Sequence, residues 1–145
     1  MSTSVDAAIR TLLLLMPRMV GRAKRTPPPP ELAGLNLAPR HLSLLSYLLL
    51  DGALGVNELA ARLEVAPTTV SLMVGDLSRK GVLLRREDDA DRRRTIVSIA
   101  PEHHAAIDGW LGRSAAAWRV ALDPLTDEQR ELLVSTLLTF EEALG

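Results

Sequence analysis

The chain has no cysteine. That absence excludes thiol catalysis, thiol redox sensing, disulfide cross-links and cysteine-ligated zinc together. Aromatic side chains are scarce as well, at 3% of 145 residues. A protein that grips single strands by stacking bases on rings needs more than Tyr47, Trp110, Trp118 and Phe140. The apolar run Leu12 to Met16 is far too short to span a bilayer and is closed by Pro17. Residues 1–10 lack the basic start of a signal peptide, so the expectation is a cytoplasmic protein with no membrane partner. Catalytic signatures are missing: there is no Gly-rich phosphate loop, no His-x-x-x-His and no Gly-x-Ser-x-Gly. His103 and His104 are adjacent, so on a helix they point about 100° apart and seldom share one ion. His41 is remote from both. The reading is therefore a protein with no enzyme activity, no cofactor and no metal site.

What is present is a large apolar share, 47%, enough to bury a core in one domain with an appended element. The net charge of −1 is unevenly spread. Residues 1–40 carry six basic and two acidic side chains, and residues 78–95 carry seven basic and four acidic. Residues 120–145 carry one basic and six acidic. A basic centre and an acidic tail suit a chain that meets a polyanion with one surface only.

Apolar positions at three- and four-residue steps predict a helix from Val5 to about Val20, kinked or loosened by Pro17. Arg18, Arg22, Lys24 and Arg25 cluster at its end, where cations suit the helix dipole. Pro27 to Pro30 reads as a stiff, non-helical spacer. Three helices are expected next: Ala38–Asp51, Val56–Leu63 and Pro67–Lys80, the last closed by Gly81. Val82–Arg86 and Arg94–Ile99 read as two strands of a hairpin around a charged loop. A long helix from Pro101 to about Leu122 follows. After Asp123-Pro124, Thr126 to Gln129 has capping-box spacing and opens a last helix. Trp110 and Trp118 could line a ligand cavity, but core or dimer contact is the favoured reading.

Only Glu64-Val65-Ala66 separates the helices ending at Leu63 and starting at Pro67, which reads as helix-turn-helix. Placing Val70, Met73, Val74 and Leu77 inward leaves Thr68, Thr69, Ser71, Leu72, Gly75, Asp76 and Arg79 outside. The first turn then offers small hydroxyl groups that can approach phosphates and base edges. Arg92, Arg93 and Arg94 follow the acidic loop, and a guanidinium at a loop tip can enter a narrow minor groove.

Leu59 to Leu63, Val70-Ser71, Asp76 to Leu83, and Asp91-Arg92-Arg93 followed by Val97-Ser98-Ile99 resemble the MarR (multiple antibiotic resistance regulator) family. The resemblance covers nearly the whole chain, and its most specific element is the wing pattern Asp-x-Arg, here Asp91 and Arg93. It implies a mainly α fold with a small β-hairpin wing. Residues 37–100 would form a winged helix-turn-helix DNA-binding domain, and residues 1–36 with 101–145 a helical dimerisation region. It implies that Thr68, Thr69 and Ser71 face the major groove and that Arg93 enters the minor groove, oriented by Asp91. Arg92 and Arg94 would lie beside it, nearer phosphate. The implied function is transcription regulation by a homodimeric repressor on a palindromic double-stranded operator. A small lipophilic or aromatic effector would release it.

The chain departs from the family pattern at several places. Leu72 stands where the family often has Arg, and Gly75 where it has an acidic residue. Leu72 could touch a thymine methyl instead. Ala100 and His103 replace the usual Thr and Gly after the second wing strand, and the four-proline spacer is unusual. Two other functions fit the pattern: a winged helix that binds a protein without DNA, and an effector-less architectural DNA binder.

Overall fold

The computed structural model describes residues 3–145. Six α-helices are joined by a short 3₁₀ turn and a small sheet: α1 (Val5–Arg25), a 3₁₀ turn (Pro30–Leu35), α2 (Pro39–Asp51), β1 (Leu54–Gly55), α3 (Val56–Leu63), α4 (Pro67–Arg79), β2 (Leu83–Glu87), β3 (Thr95–Ile99), α5 (Pro101–Leu122) and α6 (Asp127–Leu144). None of these helices is long and apolar enough to cross a membrane. Two compact units divide within α5, one ending at Leu111 and the other starting at Gly112.

The first unit holds the core. Leu44, Leu45 and Leu48 of α2 pack with Leu59 of α3, Val70, Val74 and Leu77 of α4, Val97 of β3, and Ile107 and Trp110 of α5. The α4 set is the apolar face read from its spacing, which turns the other side of that helix to solvent. Each end of α4 has a local cause. Glu64 takes a left-handed conformation (φ 56°) to end α3, and Pro67 occupies the first turn of α4, where no amide hydrogen is needed. At the far end, Gly81 (φ 76°) donates to the Ser78 carbonyl and Val82 donates to that of Leu77. That is a Schellman closure, and it sends the chain directly into β2.

The sheet has three antiparallel strands in the order β1-β3-β2, so the expected hairpin gains a third strand. β1 is two residues long, too short to show a period. Because β3 is central, Val97 is buried on the core side and Ile96 is buried as well.

Two expectations about the N-terminal segment need correction. α1 does not fade at Val20 but continues through Pro17 to Arg25, which places Arg22, Lys24 and Arg25 in its last turn. A proline forfeits one backbone bond, and the remaining ladder together with the favourable cation–dipole contacts carries the helix on. The proline run is not wholly extended either. Pro30 opens the 3₁₀ turn, a first-turn position that proline fits, and the turn buries Leu32.

In the second unit, Thr126 and Gln129 form the reciprocal capping box expected from their spacing. Arg130 holds the corner between α5 and α6. It donates to the Leu122 and Asp123 carbonyls at 2.9 and 3.0 Å and pairs with Asp127 at 2.8 Å. No residue of α6 is buried.

Candidate functional site

Thr68, Thr69, Ser71 and Leu72 lie on the exposed side of α4, with Leu72 75% accessible. Arg79 is exposed at the end of the same helix. Beside them runs a cleft of about 510 Å³ between α4 and the start of α2, lined by Arg40, His41, Thr69, Leu72, Met73, Asp76 and Arg79.

His41 was not expected to matter. It is 2% accessible and sits in the first turn of α2. Its Nδ1 accepts from the Ala38 amide at 2.9 Å, half of a capping box in which the methyl of Ala38 cannot reciprocate. Among the described residues Nε2 has no hydrogen-bond partner, and it faces Asp76 at 3.8 Å. Asp76 is engaged by Lys80 at 3.2 Å and Arg79 at 3.9 Å, and Lys80 also reaches the Asn36 carbonyl. Burial holds the His41 pKa below its ordinary 6.5. Arg40 and Lys80 push the same way, and Asp76 opposes them. Periodicity placed His41 on a helix but could not place Asp76 opposite it.

The wing tip is built by backbone turns. Asp88 N–H donates to the Arg94 carbonyl and Arg94 N–H to that of Asp91, closing the loop between β2 and β3. Asp91 Oδ1 accepts from the Arg93 amide at 3.1 Å and from its Nε at 3.2 Å. An Asx turn of this kind fixes the backbone and aims the side chain in one step. The Arg93 side chain is 92% accessible. Arg92 is exposed beside it.

Arg94 differs from its neighbours. Its guanidinium pairs with Glu58 of α3 and with Asp88 at 3.1 Å, which ties the wing to the helix-turn-helix. The guanidinium expected nearer phosphate is thus already engaged by two carboxylates of the protein itself. A Cβ at Gly55, the last residue of β1, would stand 2.8 Å from Arg94 Nε, so a larger residue there would have to displace this guanidinium. Glu58 and Asp88 were not singled out from sequence. The signal available was local charge balance, three arginines after three aspartates, which does not say which arginine is paired.

A second cavity, about 370 Å³, lies where the end of α1 and the proline run meet α2 and α5. Val20, Leu37, Leu42 and Trp110 give it apolar walls, and Lys24 and Arg25 also line it. Trp110 Nε1 donates to the Thr26 carbonyl at 3.3 Å. Trp118, two turns further along α5, is half exposed. Among the described residues, no group of three or more His, Asp or Glu is placed to hold a metal ion.

Comparison with known proteins agrees with this geometry. The profile of the MarR family matches residues 33–94. The HTH-type transcriptional repressor MdtR of Bacillus subtilis is 32% identical over 94 residues, covering 65% of this chain and 61% of that protein. The matched part is thus under two thirds of the relative's length. Among solved structures, S. aureus MepR in its DNA-binding conformation superposes with a TM-score of 0.74 at 20% identity, over 93% of this chain and 99% of that one. The PcaV transcriptional regulator from Streptomyces coelicolor, in complex with its natural ligand, gives 0.65 at 17% identity, over 100% and 99%. At these identities the two structures establish a shared fold.

Proposed function

We propose that this protein is a homodimeric transcription regulator of the MarR family, whose profile matches residues 33–94, and that it is a repressor which binds a palindromic double-stranded operator. The observation that carries the reading is the pairing of two projections on one winged helix. The hydroxyl-rich first turn of α4 suits the major groove, and Arg93, aimed by Asp91, suits the minor groove. Thr68, Thr69, Ser71 and Leu72 face bases. Arg79 and Arg92 are assigned to phosphates, with Asp91 as the positioning residue. Arg94 supports the wing from behind.

Dimerisation by residues 1–36 and 101–145 is supported by two helices that bury nothing of their own. Neither α1 nor α6 has a buried residue, yet Ile9, Leu12, Leu13, Leu132 and Leu138 are large and apolar. Such faces mark interaction surfaces. A two-fold dimer reads half-sites about 10 base pairs apart, or a multiple of that. The 370 Å³ cavity is of ligand size, and its apolar walls beside Lys24 and Arg25 suit a lipophilic or aromatic effector, best an anionic one. An effector releases the operator only by binding the DNA-competent and incompetent dimers unequally.

The test is fluorescence anisotropy with the duplex upstream of the protein's own gene and a shuffled duplex, over a salt series. Preference for the native duplex at physiological salt is expected. The logarithmic salt slope should be near −7, for about eight neutralised phosphates per dimer. Equal, weak binding of both duplexes would leave only backbone attraction and would favour a protein partner, for which the exposed Leu72 is the natural contact.

A further inference from the structure

The outward side of α4 is notable for what it lacks. Base edges in the major groove are read most strongly by side chains that bond them with two atoms: Arg or Lys on guanine, Asn or Gln on adenine. From Pro67 to Ser78 the helix contains none of the four. Asp76 could accept from cytosine, but Lys80 engages it, with His41 and Arg79 close by. Arg79 lies seven residues past Leu72, about 10 Å further along the axis and away from the end that reaches bases. The exposed side chains left to meet bases are Thr68, Thr69, Ser71 and Leu72.

Leu72 is the largest of these, and the fold makes no use of it, since it is 75% accessible. The one apolar group that the major-groove edge presents is the C5-methyl of thymine. The wing points to the same base pairs by a different route. A guanidinium as exposed as that of Arg93 is drawn to the strongly negative, narrow minor groove of A-tracts.

Resting on the DNA-binding reading above, we infer that the operator half-site is defined by A·T pairs at both contacts. Leu72 selects thymine through its methyl group, and Arg93 selects a flanking A-tract through groove width. No base-specific contact to guanine is made by α4.

The experiment is selection by the full-length protein from a library of random duplexes, followed by anisotropy on the selected duplex. Thymines are then replaced singly by deoxyuridine, which removes only the methyl. Half-sites rich in A·T are expected. At the thymine beneath Leu72, deoxyuridine should weaken binding about four-fold, the equivalent of one buried methyl. Leu72→Ala, at an exposed position that leaves the core intact, should abolish that sensitivity. Leu72→Arg should move the selection toward guanine. An obligatory G·C step under α4, or deoxyuridine sensitivity unchanged in Leu72→Ala, would overturn this inference and leave DNA binding standing. No enrichment of any sequence would remove the regulator reading itself, and this inference with it.

Discussion

Arg93 and Arg94 are adjacent in the chain and occupy different surroundings. Arg93 projects from the wing, held by Asp91 of its own turn, while Arg94 bridges Glu58 and Asp88. Arg93→Ala should weaken operator binding about ten-fold and leave stability within roughly 0.5 kcal/mol. Arg94→Ala should lower stability by on the order of 1 kcal/mol, the upper range for a half-exposed pair, because it releases two carboxylates at once. Urea midpoints and anisotropy on both variants separate the roles, and equal stability losses would contradict the assignment. His41 carries a pH prediction. Its folded pKa lies below 6.5, because burial disfavours the cation, with Arg40 and Lys80 adding to the effect. A proton on Nδ1 would also displace the Ala38 amide bond. The unfolded chain therefore binds more protons just below pH 6.5. Stability should be full above that pH and fall as pH drops from about 6.5 toward the folded pKa. His41→Gln, which retains an acceptor for the Ala38 amide, should flatten the urea midpoint over that window.

At the scale of elements, most helix boundaries were readable because local chemistry sets them. Val56–Leu63 and Pro101–Leu122 coincide with the expected spans, and α4 ends one residue earlier than expected, at its Gly81 closure. Gly81→Ala forces a side chain into a left-handed conformation at the join between α4 and the wing. It should cost about 1 kcal/mol or more, read as a lower urea midpoint. The third strand and the length of α1 were not readable. β1 exists only because β3 offers Leu54 and Gly55 an unpaired edge. α1 outlasts its proline because the rest of its backbone ladder persists. Thr126→Ala removes the capping box of α6 and should cost about 1 kcal/mol.

At the scale of the molecule, the proposed dimer would cover the exposed apolar side chains of α1 and of α6. Leu13 is 67% accessible in a helix with no buried residue. Leu13→Asp should therefore shift the protein from dimer to monomer in sedimentation equilibrium at micromolar concentration. The thermal midpoint of the parent, and not of the variant, should rise with protein concentration. Operator affinity should fall with the dimer, since one protomer reaches one half-site. A variant that stays dimeric at the same concentrations would place the interface elsewhere.

The sequence by itself determined the helix-turn-helix, the wing and the exposed face of α4. These follow from periodicity, caps and turn residues, which act within a few positions of one another. The Asp91–Arg93 pair belongs to the same class, being two residues apart in one turn. Tertiary structure alone decided which wing arginine projects to solvent and which is tied to Glu58, 36 positions earlier in the numbering. It also buried His41 against Asp76, and it gathered Lys24, Leu42 and Trp110 around one cavity. The physical reason is range. A cap or turn is settled by neighbours in the chain, whereas an ion pair or cavity between elements exists only once packing has brought distant residues together.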